Sequence, residues 1–144
     1  MQLNFKKLHL DAVGPSYAKP GDAGLDLTAV THEVQSFFFF FQKHIYSFKI
    51  AIEIPSQHVG LIFARSSIHK FLMILSNHVG VADSGYRGEL GVVFYGLRWL
   101  SKPYKPGDRI AQLVVLPFPQ IEPKEVAELS KTERGEGGWG SSGR

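Results

Sequence analysis

Residues 46–55 read YSFKIAIEIP, and this alternation limits the fold more than any other stretch of the chain. Phe48, Ile50, Ile52 and Ile54 share one side of an extended segment but would scatter around a helix, because strand side chains repeat every two residues. Shorter runs at 3–10, 59–64 and 109–118 have the same β-prone character. Turn signals rich in Gly, Pro and Asp separate them, notably at 15–24 and at Lys105-Pro106-Gly107-Asp108. There is no long helical period, internal repeat or linker. The expectation is an all-β sandwich or barrel. Two segments leave their role open. Residues 71–75 (FLMIL) read as a buried strand or a short helical turn. Residues 37–41 are five phenylalanines, which in a strand put aromatic rings on both faces. Such a strand needs cover on both sides, from core and sheet packing or from another subunit.

A chain of 144 residues suits one domain with an unstapled core. It has no cysteine, so disulfides and thiolate metal sites are excluded. The net charge of +3 comes from scattered basic residues, so a nucleic-acid groove is not the first reading, and a small polyanion held by a few arginines explains the balance equally well. The sequence has no apolar run of membrane-spanning length and no signal-like start, so a soluble, cytoplasmic protein without membrane or nucleic-acid partners is expected.

Residues 77–91, NHVGVADSGYRGELG, read as a β-hairpin around a small-residue corner. Asp83 and Tyr86 would sit together at the mouth of a slot lined by main chain, with Gly80 and Gly91 allowing close approach. Arg65-Ser66-Ser67 closes a strand with a guanidinium fork and two hydroxyls, a donor set that suits phosphate oxygens. Asp26 lies between two leucines and reads either as a turn-bonding residue or as a carboxylate near a metal or phosphate site. Gln112 interrupts an apolar run and needs a partner if buried. Residues 122–131 are charged, and 125–129 read as a helical turn or a short strand. The tail, 134–144, reads RGEGGWGSSGR. Its glycines argue for disorder, whereas Trp139 is costly to leave in water. A tail closing over a ligand would use backbone N–H groups on phosphates and the indole on a base.

Five motifs occur in order: DAGLDL at 22–27, ARSS at 64–67, GVADSGYRGEL at 80–90, GDRIAQL at 107–113 and RGEGGWGSSG at 134–143. Together they resemble the trimeric dUTPase family (deoxyuridine 5′-triphosphate nucleotidohydrolases). The resemblance implies a jelly-roll β-sandwich over 1–133, an arm over 134–144 that closes the active site, and a homotrimer with sites at subunit boundaries. It implies hydrolysis of dUTP to dUMP and pyrophosphate with Mg²⁺ held mainly by the substrate phosphates, so lowering dUTP and supplying dUMP for thymidylate synthesis. Asp83 matches the carboxylate that orients the attacking water. Tyr86 matches the ring beneath the deoxyribose, which leaves no room for a 2′-hydroxyl. Asn77, with backbone at Gly80 and Gly91, matches the uracil slot. Arg65, Ser66, Ser67 and Gln112 match phosphate contacts. In the tail, Arg134, Ser141 and Ser142 match the grip on the γ-phosphate, and Trp139 stands where the family usually has another aromatic. Asp26 matches a residue linked to the metal indirectly, through water.

The chain departs from the family pattern at Gly85 and Ala82, in a shortened 67–77 segment and at the phenylalanine run. Two other readings compete. A dCTP deaminase shares the fold and the ARSS-like motif, but it needs a glutamate where this chain has Val93, and valine cannot move protons. A non-catalytic nucleotide-sensing or protein-binding regulator on the same fold would put the phenylalanine run to use in partner contacts.

Overall fold

The computed structural model describes residues 1–138, and of residues 37 and 38 the backbone alone. The strands are β1 (Asn4–Lys7), β2 (Leu25–Thr28), β3 (Thr31–Phe38), β4 (Phe41–Glu53), β5 (His58–Ala64), β6 (Met73–Leu75), β7 (Gly80–Ala82), β8 (Glu89–Leu97) and β9 (Arg109–Pro117). They form two antiparallel sheets, one ordered β1-β4-β8-β6 with β3 also on β4, the other β2-β9-β5-β7. The only helical element among the described residues is a 3-10 turn, Ser66–Lys70. The architecture is the expected jelly-roll β-sandwich. No helix among the described residues is long and apolar enough to cross a membrane.

The alternation at 46–55 has the expected consequence. Tyr46, Phe48, Ile50, Ile52 and Ile54 are all buried, and they pack with Leu90, Val92 and Phe94 of β8 and with Ile62, Ile110 and Leu113 of the other sheet. On one edge β4 carries β3 along its first half and β1 along its last residues, with β8 on the other edge. The turn at 105–108 closes as its composition suggests. The Asp108 N–H donates to the Lys105 carbonyl at 3.0 Å, the Lys105 N–H donates to the Asp108 carboxylate at 2.7 Å, and Gly107 takes φ 94°.

Several expectations need correction. Residues 77–91 do not form a hairpin. β7 pairs with β5 in one sheet and β8 pairs with β4 and β6 in the other, so the stretch crosses between sheets. Local turn chemistry looks the same in both cases, and only the partners of the flanking strands distinguish them. The phenylalanine run is not one strand with two covered faces. β3 ends at Phe38 and β4 begins at Phe41, so Phe39 and Phe40 form the turn. Both are exposed, at 65% and 54%, and meet Trp99 edge-on. The first strand is shorter than 3–10, and Leu8 and Leu10 beyond it are exposed. Of residues 71–75, the last three form β6. Residues 125–129 form neither helix nor strand. β3 was not visible in the sequence, because its only strong apolar signal sits at its end.

His44 of β4 is 2% exposed. Its Nδ1 lies 3.1 Å from Nε2 of His32, whose ring stacks on Tyr46, while its own Nε2 is buried with no partner among the described residues. Burial pushes both imidazoles below their ordinary value of 6.5, and for His44 the neighbouring His32 adds to the effect. The fold therefore holds them neutral. Their contribution to stability is complete above the unfolded-state value and is lost as pH falls below it, where the unfolded chain binds more protons. Thermal melts should show the transition temperature falling between about pH 7.5 and 5.5, with a shallower fall in His32→Phe. Phe48→Ala, which empties a fully buried site, should cost about 3–5 kcal/mol in urea titrations.

Candidate active site

A cavity of about 220 Å³ opens where β7 leaves one sheet and β8 joins the other. It is lined by Ile62, Asn77, Gly80, Val81, Ala82, Asp83, Tyr86, Glu89, Leu90 and Gly91. Five of the residues chosen from sequence, Asn77, Gly80, Asp83, Tyr86 and Gly91, therefore share one pocket. It is smaller than the ~300–1,000 Å³ typical of drug-sized sites, so it would enclose a compact group and leave the rest of a longer ligand outside.

Local bonds hold its wall. The Asp83 carbonyl accepts from the Tyr86 N–H at 3.0 Å, which closes a turn at the end of β7. The Arg87 guanidinium donates to the Ser84 and Tyr86 carbonyls at 2.6 and 2.8 Å and pairs with Glu53 of β4 at 3.1 Å. Asn4 of β1 also donates to Glu53 at 3.0 Å. The Asn4 amide, then Arg87, hold the Glu53 carboxyl below its usual range. The Tyr86 hydroxyl donates to the Glu89 carbonyl at 3.0 Å, laying the ring across residue 88. A Cβ at Gly88 would stand 2.3 Å from the Tyr86 oxygen, so only glycine fits beneath this ring. At Gly91 a Cβ would stand 2.6 Å from the Tyr46 carbonyl, so glycine here permits the close approach of β4 and β8.

A second cluster lies on the β2-β9-β5 side of the other sheet. Asp26 is 3% exposed. Its carboxylate pairs with Arg65 Nε at 3.0 Å and Arg109 Nη1 at 2.9 Å, and accepts from Gln112 Nε2 at 3.4 Å. The strand register explains the meeting: Asp26 lies opposite Gln112, Gln112 opposite Phe63, and Arg65 follows the end of β5. Two guanidinium groups against one carboxylate leave a single positive charge, and Arg109 is half exposed. The cluster is thus a preorganised cationic surface suited to phosphate oxygens. Nearby, Ser67 Oγ meets the buried Tyr104 hydroxyl at 3.2 Å, and the Ser66 carbonyl meets His69 Nδ1 at 2.7 Å. Burial pushes the Tyr104 phenol upward.

None of Asp26, Arg65, Ser66, Ser67 or Gln112 lines the 220 Å³ pocket. Arg134 donates from Nε to the Gly137 carbonyl at 3.0 Å, within its own segment. Trp139, Ser141 and Ser142 lie outside the described residues. Sequence reasoning missed Arg109 as Asp26's second partner, although it stands three residues before Gln112 in a quoted motif. It also missed Glu89, because nothing in the local pattern marks a carboxylate whose partners are some forty residues away.

Comparison with known proteins decides the family. The family model for dUTPase matches residues 11–143. The chain belongs to the dUTPase family. The deoxyuridine 5′-triphosphate nucleotidohydrolase of Clostridium kluyveri is 38% identical over 146 residues, covering 99% of each chain. That of Actinobacillus succinogenes is 42% identical over 133 residues, covering 90% of this chain and 87% of the relative. A Staphylococcus bacteriophage 80alpha dUTPase solved with dUPNHPP superposes with a TM-score of 0.87 at 28% identity, covering 99% of each chain. That phage protein is described as controlling transfer of virulence genes.

In this dUTPase-family chain, Asp26 ties three strands together through side chains. Asp26→Ala would leave Arg65 Nε, Arg109 Nη1 and Gln112 Nε2 without the carboxylate they share, and urea unfolding should show a loss of about 1–3 kcal/mol.

Proposed function

We propose that this protein hydrolyses dUTP to dUMP and pyrophosphate, removing dUTP and supplying dUMP for thymidylate synthesis in the cytoplasm. The observation that carries this reading is the single pocket that gathers Asn77, Gly80, Asp83, Tyr86 and Gly91. In the proposed reaction, Asp83 accepts a proton from a water whose oxygen attacks the α-phosphorus in line. The bond from that phosphorus to the oxygen bridging to the β-phosphate breaks, and pyrophosphate departs. Asn77 and the backbone at Gly80 and Gly91 pair with uracil, and a cytosine would leave buried polar groups unpaired. Tyr86 packs against the deoxyribose.

Arg65, Ser66, Ser67 and Gln112 are proposed to hold phosphates. The net positive charge of the Asp26 cluster supports this role. Residues 134–144 form the proposed arm, with Arg134, Ser141 and Ser142 on the γ-phosphate and Trp139 over the base. Mg²⁺ fits as a companion of the triphosphate. The described residues hold no group of three or more His, Asp or Glu that could cage an ion, and the Asp26 carboxylate already meets two arginines, leaving it an indirect part through water. When bound, the ion would neutralise charge on the departing phosphates. A homotrimer accounts for the separation of the pocket from the arginine cluster, because neighbouring chains would then bring the two together.

A pyrophosphate-release assay over all dNTPs, run beside a sizing column, tests the reading. Turnover confined to dUTP, by a species three times the 16.0 kDa chain, is expected. Asp83→Asn should lower turnover roughly 10²–10⁴-fold while dUpNHpp still binds. Deleting residues 134–144 should leave the fold intact and reduce turnover on the order of 10²-fold. A protein-binding regulator is the second reading, favoured by the exposed Phe39, Phe40 and Trp99 cluster. Binding of dUTP by the wild type without any turnover would select it.

A further inference from the structure

The register between β4 and β8 breaks once. Gly91 lies opposite Ser47 and Glu89 opposite Ala51, so two steps of β8 face four steps of β4. β4 therefore carries two extra residues in a bulge beside the pocket. An insertion of two keeps the parity of the strand: Phe48 and Ile50 still point into the core, while Ser47 and Lys49 share the outer face with Glu89. Lys49 sits at φ 51°, a left-handed conformation uncommon for a residue with a side chain.

Two groups converge on the Glu89 carboxylate through three hydrogen bonds. The Ser47 hydroxyl donates to Oε1, and Lys49 Nζ donates to Oε1 and Oε2 at 3.2 Å each. The Ser47 hydroxyl also accepts from the Lys49 N–H at 3.0 Å, which closes the bulge on itself. The Lys49 carbonyl accepts from the Leu8 N–H at 2.8 Å, and the Ser47 carbonyl from the Val30 N–H at 2.8 Å, so the bulge is held from outside as well. The Ser47 hydroxyl, then Lys49, keep the carboxyl below its usual range. The carbonyl of the same Glu89 accepts from the Tyr86 hydroxyl, and the residue stands in the pocket wall. Its side chain is thus bolted to β4 while its carbonyl sets the height of the Tyr86 ring.

We infer that Ser47, Lys49 and Glu89 form a positioning clamp for sugar selection, holding Tyr86 where a 2′-hydroxyl would clash. None of the three side chains is assigned contact with substrate or reacting atoms. Their effect passes through the Glu89 backbone and the Tyr86 ring. The inference rests on the proposed dUTPase reading for its ligand but makes a separate claim about discrimination between deoxyribose and ribose.

The test compares dUTP with UTP, and dUpNHpp with its ribose counterpart, in wild type, Glu89→Ala, Lys49→Ala, Lys49→Gly and the Glu89→Ala/Lys49→Ala double variant. Lys49→Gly removes the ammonium but suits the left-handed backbone, so it should keep or raise the melting temperature. The preference for the deoxy ligand should fall on the order of tenfold in each single variant, including Lys49→Gly. The loss should appear in KM for dUTP more than in kcat. The double variant should lose no more than either single variant, because the two side chains act as one unit. Glu89→Gln, which still accepts from Ser47, should retain more selectivity than Glu89→Ala. Unchanged discrimination in a folded Lys49→Gly and Glu89→Ala would overturn the clamp even with dUTP turnover intact. If the wild type turns over no dUTP, the enzyme reading fails, and the equilibrium preference for dUpNHpp still decides the clamp by the same comparison.

Discussion

Strand β4 has to satisfy two demands at once, and the molecule depends on how it does so. It must bury His44, Tyr46, Phe48, Ile50 and Ile52 on one face, and it must pass β8 at a place where β8 turns to form a pocket wall. A single inserted residue would turn every later side chain to the wrong face. Two inserted residues preserve the alternation, and the strain of a left-handed Lys49, of order 1–3 kcal/mol, is offset by hydrogen bonds that close the bulge. Core packing and site geometry are therefore solved by the same few residues.

The pocket inherits its shape from that solution. Gly91 lets β8 approach the Tyr46 carbonyl, Glu89 is anchored to the bulge, and Tyr86 hangs from the Glu89 carbonyl above Gly88. On the far side Arg87 ties the connecting turn to Glu53, the last residue of the same β4. The crossing stretch is thus held from both flanks by one strand of the sheet. A site built in this way can hold a ring rigidly although it lies on a loop.

The arginine cluster follows a different logic. Asp26 alternates with Leu25 and Leu27 in β2, so its side chain takes the face opposite theirs, where Gln112, Arg65 and Arg109 cover it, and a buried carboxylate needs partners. Arg65 and Arg109 supply them, and their excess charge remains at the surface. The pocket collects backbone, the Tyr86 ring and neutral or acidic groups such as Asn77 and Asp83, while this cluster collects positive charge. Such a division suits a ligand with a ring at one end and an anionic group at the other.

The sequence alone determined the β class, because alternation such as that at 46–55 is incompatible with a helix. It also determined the motif residues, since five ordered motifs need no coordinates to be read. It marked Asp83, Tyr86, Asn77, Gly80 and Gly91 correctly as neighbours, for they are close along the chain. The tertiary structure decided what depends on contacts between distant segments. Residues 77–91 cross between sheets because their flanking strands find different partners, and the phenylalanine run became a turn because β3 and β4 pair on either side of it. Asp26 met Arg109, and Glu89 met Ser47 and Lys49, across separations of forty residues or more. Pairings of this kind leave no periodic trace, since each residue's local pattern is satisfied whichever partner the fold brings to it.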